Sequence, residues 1–393
     1  MSEKKTRIFA AVYMAAMMLL LGMSDALRGV FLPVLRETFS LSQAQGSALI
    51  MLSYVGNLLF LIVGGWLVGR MPRKRFLCMM MLLWMAALAA YWLTQNAAVL
   101  YIGILFSMGA STMLSTTINL TTPLLFASPA LLVNLFYFSQ GVGIFAAQNL
   151  GGRIADRYVS WQHMNLLLLS GGAVCLLLLL FCIRFPAKKS ETKAPAHPLR
   201  VVFSHPAAKW LLLCFGLYSI AEHGLQNWMV TYGSDHLGYT REQSAKFLSY
   251  FFLGITFGRL VLAPVVQKLG LMRSLLIGVT GGGVLYIGGV LLGRGGIVLL
   301  CASGLLFSFL WPMTMLLTAE YYPAEYKGAA TSWITGLANL FDIAFNACFG
   351  AVVQGIGFGK AILVLPAAMA LYVVCMFVLR FHIGAPAQNA ENT

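Results

Sequence analysis

Residues 8–34 read IFAAVYMAAMMLLLGMSDALRGVFLPV. This stretch exceeds the ~20 apolar residues that a helix needs to cross a bilayer, and no small-residue cleavage site follows it. It therefore predicts a retained, membrane-spanning first helix. The stretch also contains Asp25 and, one helical turn later, Arg28. Because a charge at mid-membrane costs about 2.5 kcal/mol or more, we expect both side chains to face the protein interior, where such groups mark an ion or substrate path.

The rest of the chain is equally apolar. Of its 393 residues, 60% are hydrophobic and only 10% are charged, and the mean hydropathy is +0.82. A water-soluble protein of this length carries far more charge. We predict an all-α polytopic membrane protein with twelve transmembrane helices. The predicted helices cover residues 8–34, 47–69, 75–94, 98–125, 130–153, 162–185, 208–232, 243–267, 272–292, 297–319, 328–353 and 360–381.

The basic residues predict the orientation in the membrane. Most Lys and Arg side chains lie on alternate connecting segments, with clusters at residues 4–7, 70–75 and 184–209. Such segments face the cytoplasm in membrane proteins. We therefore expect both termini to be cytoplasmic, in a bacterial-type inner (plasma) membrane. The net charge of +14 follows from this topology, so it gives no reason to expect nucleic-acid binding.

The longest polar stretch divides the chain in two. Residues 186–206 read PAKKSETKAPAHPLRVVFSHP, and six predicted helices lie on each side. We predict an N-terminal six-helix bundle over residues 1–185, a cytoplasmic linker over 186–206 and a C-terminal six-helix bundle over 207–393. The two bundles are expected to be pseudo-symmetric repeats. An offset of about 197 residues places Asp25 and Glu222 at corresponding positions.

Enzyme chemistry finds no support in the sequence. The seven cysteines lie in or beside predicted helices without metal-ligand spacing. The phosphate-binding loop, H-E-x-x-H and G-x-S-x-G motifs are absent from the sequence. We expect no enzyme activity, no metal and no cofactor.

Several motifs resemble the major facilitator superfamily of transporters. Residues 65–74, GWLVGRMPRK, are similar to the G-x-L-x-D-R-x-G-R-R signature of the loop after the second helix, with Gly69 in place of the aspartate. Residues 320–328, EYYPAEYKG, resemble the family's loop before the eleventh helix. The resemblance covers the whole chain and implies two six-helix halves that work by alternating access.

Three further stretches resemble the fucose permease branch of sugar transporters. They are Ser24-Asp25 with the later Pro33, the segment from Glu222 to Trp228 with Tyr232, and residues 254–259, GITFGR. In that branch the aspartate of the first helix binds substrate or takes part in proton coupling, so the resemblance implies this role for Asp25. The branch's fourth-helix glutamate is replaced here by Ser115.

The acidic residues have two interpretations each. Asp25 and Arg28 share a helical face, and they form either a substrate and proton site or a structural ion pair. A neighbouring arginine favours the charged carboxylate, so Asp25 carries a proton only if Arg28 disengages. Glu222 is either a proton carrier or a protonated acid bonded to a neighbouring helix. His223, beside it, is interpreted as a packing or mouth residue.

Amides and aromatic residues complete the predicted site. A cavity that mixes amides, acids and rings suits a neutral polyhydroxylated solute, because amides and acids bond hydroxyls while rings cover apolar sugar faces. The candidate substrate-binding residues are Asp25, Arg28, Asn119, Gln148, Gln226, Asn227, Trp311, Asn339, Asp342 and Asn346; the candidate proton-coupling residues are Glu222 and Asp25.

Three functions remain open at the level of the sequence. The first is proton-coupled uptake of a small polar solute, a sugar or sugar-like compound, by a monomer that alternates access. The second is proton-antiport efflux of an amphipathic drug or metabolite. The third is a membrane sensor that binds without transport. The expected partners are the solute, protons or another coupling ion, and the lipid bilayer.

Overall fold

The computed structural model of the chain describes residues 3–68, 70–126, 128–154, 160–183, 199–323 and 325–383. Every regular element within these ranges is a helix. Gly69 of the loop signature and residues 186–198 of the predicted linker lie outside the described residues.

The first part of the chain forms six long helices, one for each of the first six predicted stretches. Asn96 begins one of them, because its side chain accepts a hydrogen bond from the backbone N–H of Ala98 at 2.8 Å. The six helices are α1 Glu3–Thr38, α2 Gln43–Val68, α3 Arg73–Leu93, α4 Ala97–Leu125, α5 Pro129–Ile154 and α6 Ser160–Cys182.

The second part is more segmented. Its α-helices are α7 Leu199–Phe203, α8 Ala207–Asp235, α9 Arg241–Val261, α10 Ala263–Leu269, α11 Leu271–Leu291, α12 Ile297–Phe307, α13 Leu310–Glu320, α14 Lys327–Ile356, α15 Phe358–Ala361 and α16 Val364–Val378. A 3₁₀ turn over Gly293–Gly296 precedes α12, and a π-turn over Leu379–Ile383 follows α16.

Prolines explain why three predicted helices are divided. The predicted helix over 243–267 bends by 58° between α9 and α10, where Pro264 begins the second piece. Those over 297–319 and 360–381 are broken shortly before Pro312 and Pro366. Proline lacks the N–H that would bond the carbonyl four residues earlier. At Pro312 that carbonyl belongs to Ser308, and Nε of Arg259 donates to it at 3.2 Å.

The helices of the described ranges identify a multi-pass membrane protein. Ten of them are long and apolar enough to cross a bilayer, and the bent pair α9–α10 makes up to eleven. The 29-residue α8 is long enough but carries Glu222, His223, Gln226 and Asn227. Twelve transmembrane helices therefore stay a prediction.

The chain divides into two compact units. Unit 1 consists of Met1–Glu191 and Tyr239–Ser249, and unit 2 of Thr192–Gly238 and Tyr250–Thr393.

Unit 1 is organised around the close packing of α1 against α5. A Cβ at Gly22 would collide with the backbone oxygen of Gln140, and one at Gly143 with that of Leu19. Small residues permit this approach of two backbones inside a membrane. Further along, Gly151 faces Leu27 and its neighbours. The middle of α1 therefore lies level with the segment of α5 just before Gly151.

Unit 2 is organised around α8, which packs against α14 and α16. Aromatic side chains fill the space beside it: the Tyr218 ring lies 5.6 Å from Phe307, 5.7 Å from Trp311 and 6.0 Å from Tyr372, centroid to centroid. The α8 side chains after Tyr218 thus sit among buried neighbours, which is where the polar candidates of this helix lie.

Candidate functional site

Arg28 organises the polar cluster of unit 1. Its guanidinium lies 3.0 Å from Oδ1 of Asp25 and donates to Oγ of Ser53 at 2.9 Å and to the Tyr54 hydroxyl at 3.2 Å. A further contact reaches Sδ of Met108 at 3.5 Å, and the guanidinium carbon lies 4.6 Å from the centre of the Tyr54 ring. Three helices, α1, α2 and α4, therefore hold this one cation.

The two members of this ion pair differ in exposure. The Arg28 side chain is 4% exposed, whereas the Asp25 side chain is 30% exposed. The guanidinium is thus committed to protein partners, while part of the Asp25 carboxylate stays accessible. Asp25 is the member of the pair that a solute can reach.

A pocket adjoins this cluster inside unit 1. It encloses about 400 Å³, its open mouth included, and α1, α3, α4 and α6 line it. Most of its lining is apolar or aromatic; the polar part comes from Ser24, Arg28 and Asn165. Ser24 is 4% exposed, and its hydroxyl has no hydrogen-bond partner within the described residues.

Gln148 is the most unusual predicted residue of unit 1. Its side chain is 0% exposed, and neither amide atom is hydrogen-bonded within the described ranges. It lies on α5 between Gly143 and Gly151, and so level with the middle of α1, where Asp25 and Arg28 lie. Asn119 donates through Nδ2 to the Tyr137 hydroxyl at 2.8 Å, while its Oδ1 has no partner among the described residues.

Asp342 organises the polar cluster of unit 2. Its side chain is 2% exposed, and Nδ1 of His223 lies 3.0 Å from its Oδ1 and 3.1 Å from its Oδ2. One turn later, Nδ2 of Asn346 donates to the backbone oxygen of Asp342 at 2.9 Å. Nε1 of Trp228 in turn donates to Oδ1 of Asn346 at 3.1 Å. A polar contact at His223 and another at Trp228 therefore join α8 to α14.

The Glu222 side chain lies apart from the Asp342 cluster, among tyrosine side chains. It is half-buried, and its carboxyl interacts electrostatically with the hydroxyls of Tyr218 and Tyr286. The Tyr286 hydroxyl itself donates to the backbone oxygen of Ala221 at 2.7 Å. Trp311 is half-buried and packs on Phe215 at 4.8 Å between ring centroids. The Glu222 carboxyl therefore lies beside a group of aromatic rings.

The remaining amides of unit 2 differ in how they are bonded. Gln226 is 2% exposed, and its Nε2 has no partner in the described part of the chain. Asn227 is fully buried. Asn339 donates to the backbone oxygens of Thr335 and Gly336 in its own helix, at 3.4 and 3.2 Å.

The structure adds residues that the sequence analysis did not select. His223 was interpreted as a packing or mouth residue, yet it contacts Asp342. Ser53 and Tyr54 contact Arg28, and Trp228 contacts Asn346. The presence of a histidine within a polar helical stretch was the only available signal, because these partners lie on different helices. Among the described residues, no cluster of His, Cys, Asp or Glu has the arrangement of a metal site.

The family follows from comparison with known proteins. Residues 14–345 match the Major Facilitator Superfamily, and this span is most of the chain. The chain therefore belongs to the Major Facilitator Superfamily. A relative in Bacillus subtilis (strain 168), the uncharacterised MFS-type transporter YceJ, is 26% identical over 282 residues, which are 69% of this chain and 70% of the relative.

Solved structures show the same fold. The nucleoside transporter NupG has a TM-score of 0.70 at 13% identity, with 95% of this chain and 98% of that chain covered. The D-xylose-proton symporter has a TM-score of 0.76 at 14% identity, with coverages of 94% and 97%. A variant of the E. coli fucose:proton symporter FucP has a TM-score of 0.65 at 16% identity, with coverages of 95% and 98%. The chain is thus a membrane transporter by family and fold, and not an enzyme.

Proposed function

We propose that this chain is a secondary active transporter that takes up a small polar solute, a sugar or sugar-like compound, together with protons. It works by alternating access of two six-helix bundles, as a monomer in a bacterial inner membrane with both termini cytoplasmic. In this proposal Asp25 binds the solute in unit 1, and Arg28 holds the Asp25 carboxylate in place. Asn346 and Gln226 belong to the site in unit 2.

One observation carries the solute class: several buried amide and hydroxyl groups have no hydrogen-bond partner in the described part of the chain. These are the Ser24 hydroxyl, both amide atoms of Gln148 and Nε2 of Gln226. Leaving a buried polar group unsatisfied costs about 1–3 kcal/mol, and a membrane interior supplies no general substitute. A solute with several hydroxyls offers donors and acceptors that suit such groups. A greasy solute offers neither.

The functions named for the structural neighbours support the same class. D-Xylose, fucose and nucleosides, the solutes named for three of those proteins, all carry several hydroxyl groups on a ring. Two of the three are described as proton symporters. We carry over the chemical class and the coupling ion as a proposal, not the particular solute.

Efflux of an amphipathic compound is the second candidate. The group of rings around Tyr218, with Trp311 at 5.7 Å and Phe215 packed on Trp311, favours it. Such a pocket binds through apolar area, whereas the sugar proposal depends on hydrogen bonds. A sensor that does not transport is the third possibility, and flux measurements separate it from both.

The test begins with purified protein and a panel of monosaccharides, nucleosides and amphipathic cations. A ligand at a hundred times its Kd stabilises a protein by about 2.7 kcal/mol, so a rise in unfolding temperature identifies binders. Each binder is then tested for flux into proteoliposomes under an inward proton gradient. The proposal predicts stabilisation by a hydroxylated member and its accumulation inside. Stabilisation by the cations alone, with flux driven outward, would establish efflux instead.

A further inference from the structure

The contact between His223 and Asp342 joins a buried acid to a base that gains and loses a proton near neutral pH. Histidine ordinarily changes charge between about pH 5 and 8, while arginine does not. Asp342 is 2% exposed and lies near the middle of the 30-residue α14. A single ring nitrogen, Nδ1, contacts both carboxylate oxygens at 3.0 and 3.1 Å. The Asn346 amide donates to the backbone oxygen of Asp342. Because the amide is uncharged, it does not compensate the charge of the Asp342 carboxylate.

The other charged groups nearby are poorly placed to balance Asp342. Lys209 and Lys327 lie on the two helices themselves, but about four turns from the pair. Glu222 interacts with Tyr218 and Tyr286, and Arg259 interacts with Tyr218 and bonds the Ser308 carbonyl. The charged groups on the elements packed against α8 and α14 lie at or near element ends: Arg200, Asp235, Glu320, Lys360, Arg380 and His382.

The remaining titratable groups on these elements are of types whose ordinary pKa values are about 8.5 or higher. They are the thiols and phenols of Cys214, Tyr218, Tyr232, Cys348, Tyr372 and Cys375. Tyr372 is bonded to the Thr314 hydroxyl at 3.2 Å. Within the described ranges, His223 is therefore the titratable side chain in contact with the Asp342 carboxylate.

We propose that His223 and Asp342 together form the proton-binding site of this transporter. The pair holds one exchangeable proton, shared between Nδ1 and the carboxylate. With that proton the pair is neutral overall; without it, a buried carboxylate is left uncompensated, which is strongly unfavourable. The proton is taken from water and returned to water, and no covalent bond between heavy atoms changes. This inference rests on the proposed proton coupling and names the residues that perform it.

The contacts of the pair show how the proton can act on the fold. Helices α8 and α14 are joined at His223–Asp342 and again at Trp228–Asn346. The second contact involves an indole and an amide, neither of which titrates. Only the first contact changes with the proton. Loss of that proton therefore weakens the polar contact between His223 and Asp342 and leaves the one between Trp228 and Asn346 in place.

The first test uses the full-length protein without any solute. Infrared difference spectra between about pH 5 and 8 detect carboxyl groups that gain a proton. We expect a buried-carboxyl band in the wild type that Asp342→Asn removes and Glu222→Gln leaves. In His223→Gln the band should stop changing with pH, because the isolated acid keeps its proton. Retention of the full band in Asp342→Asn, or its loss in Glu222→Gln, would overturn the proposal.

The second test separates this inference from the proposed function. Proteoliposomes containing a monosaccharide or nucleoside that stabilises the protein are assayed for exchange and for proton-driven accumulation. Asp342→Asn and His223→Gln should lose accumulation at least tenfold and retain exchange, which also shows that they fold. If both variants accumulate the solute normally while the wild type depends on protons, this inference is wrong and the proposed function stands. If the wild type accumulates the solute without protons, the coupling in the proposed function is wrong.

Discussion

Each unit of the molecule contains a polar cluster in which a carboxylate contacts a base, and the bases of the two clusters differ in kind. In unit 1, Asp25 contacts Arg28, whose charge is permanent and which three helices hold. In unit 2, Asp342 contacts His223, whose charge depends on pH. The exposures are also reversed: the base is buried in unit 1 and the acid in unit 2. The difference suggests a fixed anchor for solute in unit 1 and an exchangeable proton in unit 2.

The largest expected effect is the loss of the fixed cation. Arg28→Ala should lower the free energy of unfolding by about 3–5 kcal/mol, because Asp25 loses this counter-ion and Ser53 and Tyr54 each lose one hydrogen bond. Chemical unfolding of the purified protein measures this. Arg28→Lys is the matched control: it keeps the charge but not the planar fork, so it should recover part of the loss. A change below about 1 kcal/mol in Arg28→Ala would contradict the role of Arg28 as a structural anchor.

The corresponding change in unit 2 should cost less. His223→Gln is expected to lower the free energy of unfolding by about 1–3 kcal/mol, because Asp342 can take up a proton in place of its lost partner. The same unfolding experiment, run beside Arg28→Ala at one pH, gives the comparison. Equal costs for the two variants would mean that the two ion pairs are equivalent, and the contrast between the units would disappear.

Gln148 sharpens the proposed role of unit 1 in binding. Gln148→Leu should reduce affinity for the hydroxylated solute about tenfold, equivalent to about 1.4 kcal/mol. It should also stabilise the free protein by about 1 kcal/mol, since it removes a buried amide that lacks partners. Titration calorimetry and thermal unfolding measure the two effects.

Asn339→Leu serves as the control for Gln148→Leu. Its amide is already bonded to its own helix, so its loss should weaken binding less and should not stabilise the protein. If Gln148→Leu destabilises the protein and leaves affinity unchanged, the amide is structural.

The smallest expected effect concerns a histidine of unit 2 outside the spanning helices. His205 packs on Tyr322 at 5.0 Å between ring centroids, and burial lowers the pKa of its imidazole below the usual 6.5. The unfolded chain then binds more protons in this range. The contribution of His205 to stability is therefore fully present above about pH 6.5 and declines as pH falls towards the folded-state pKa.

A matched variant isolates this contribution. His205→Phe keeps an aromatic ring and should remove a small part of the acid-side slope of stability, measured as unfolding midpoints across pH. An unchanged slope would show that His205 titrates alike in both states. The pH dependence of stability that remains in His205→Phe can then be compared with that of His223→Gln.

The sequence predicted most of the fold because apolar length alone identifies spanning helices. It did not predict which prolines break them. Pro33 and Pro123 lie inside continuous helices, whereas Pro312 follows a break. Whether a helix continues depends on what happens to the freed carbonyl, and at Ser308 a side chain from another helix, Arg259, binds it. Such tertiary contacts are invisible in a local pattern.

The candidate site shows the same limit. The contact between Asp25 and Arg28 could be predicted because the two residues lie three apart on one helix. The contact between Asp342 and His223 joins residues 119 positions apart, so the stripe of polar residues on one helix gave no information about its partner on another. Glu222 attracted attention instead because it matched Asp25 in the predicted repeat.

The most direct test of the account is the external pH of a weakly buffered proteoliposome suspension when a stabilising monosaccharide or nucleoside is added. The wild type should make the medium more alkaline as protons enter with the solute. Asp342→Asn should leave the pH constant, although labelled solute still exchanges across its membrane. A normal rise in pH with Asp342→Asn would contradict the assignment of the proton to unit 2. Solute entry into wild-type vesicles without any change in pH would contradict proton coupling itself.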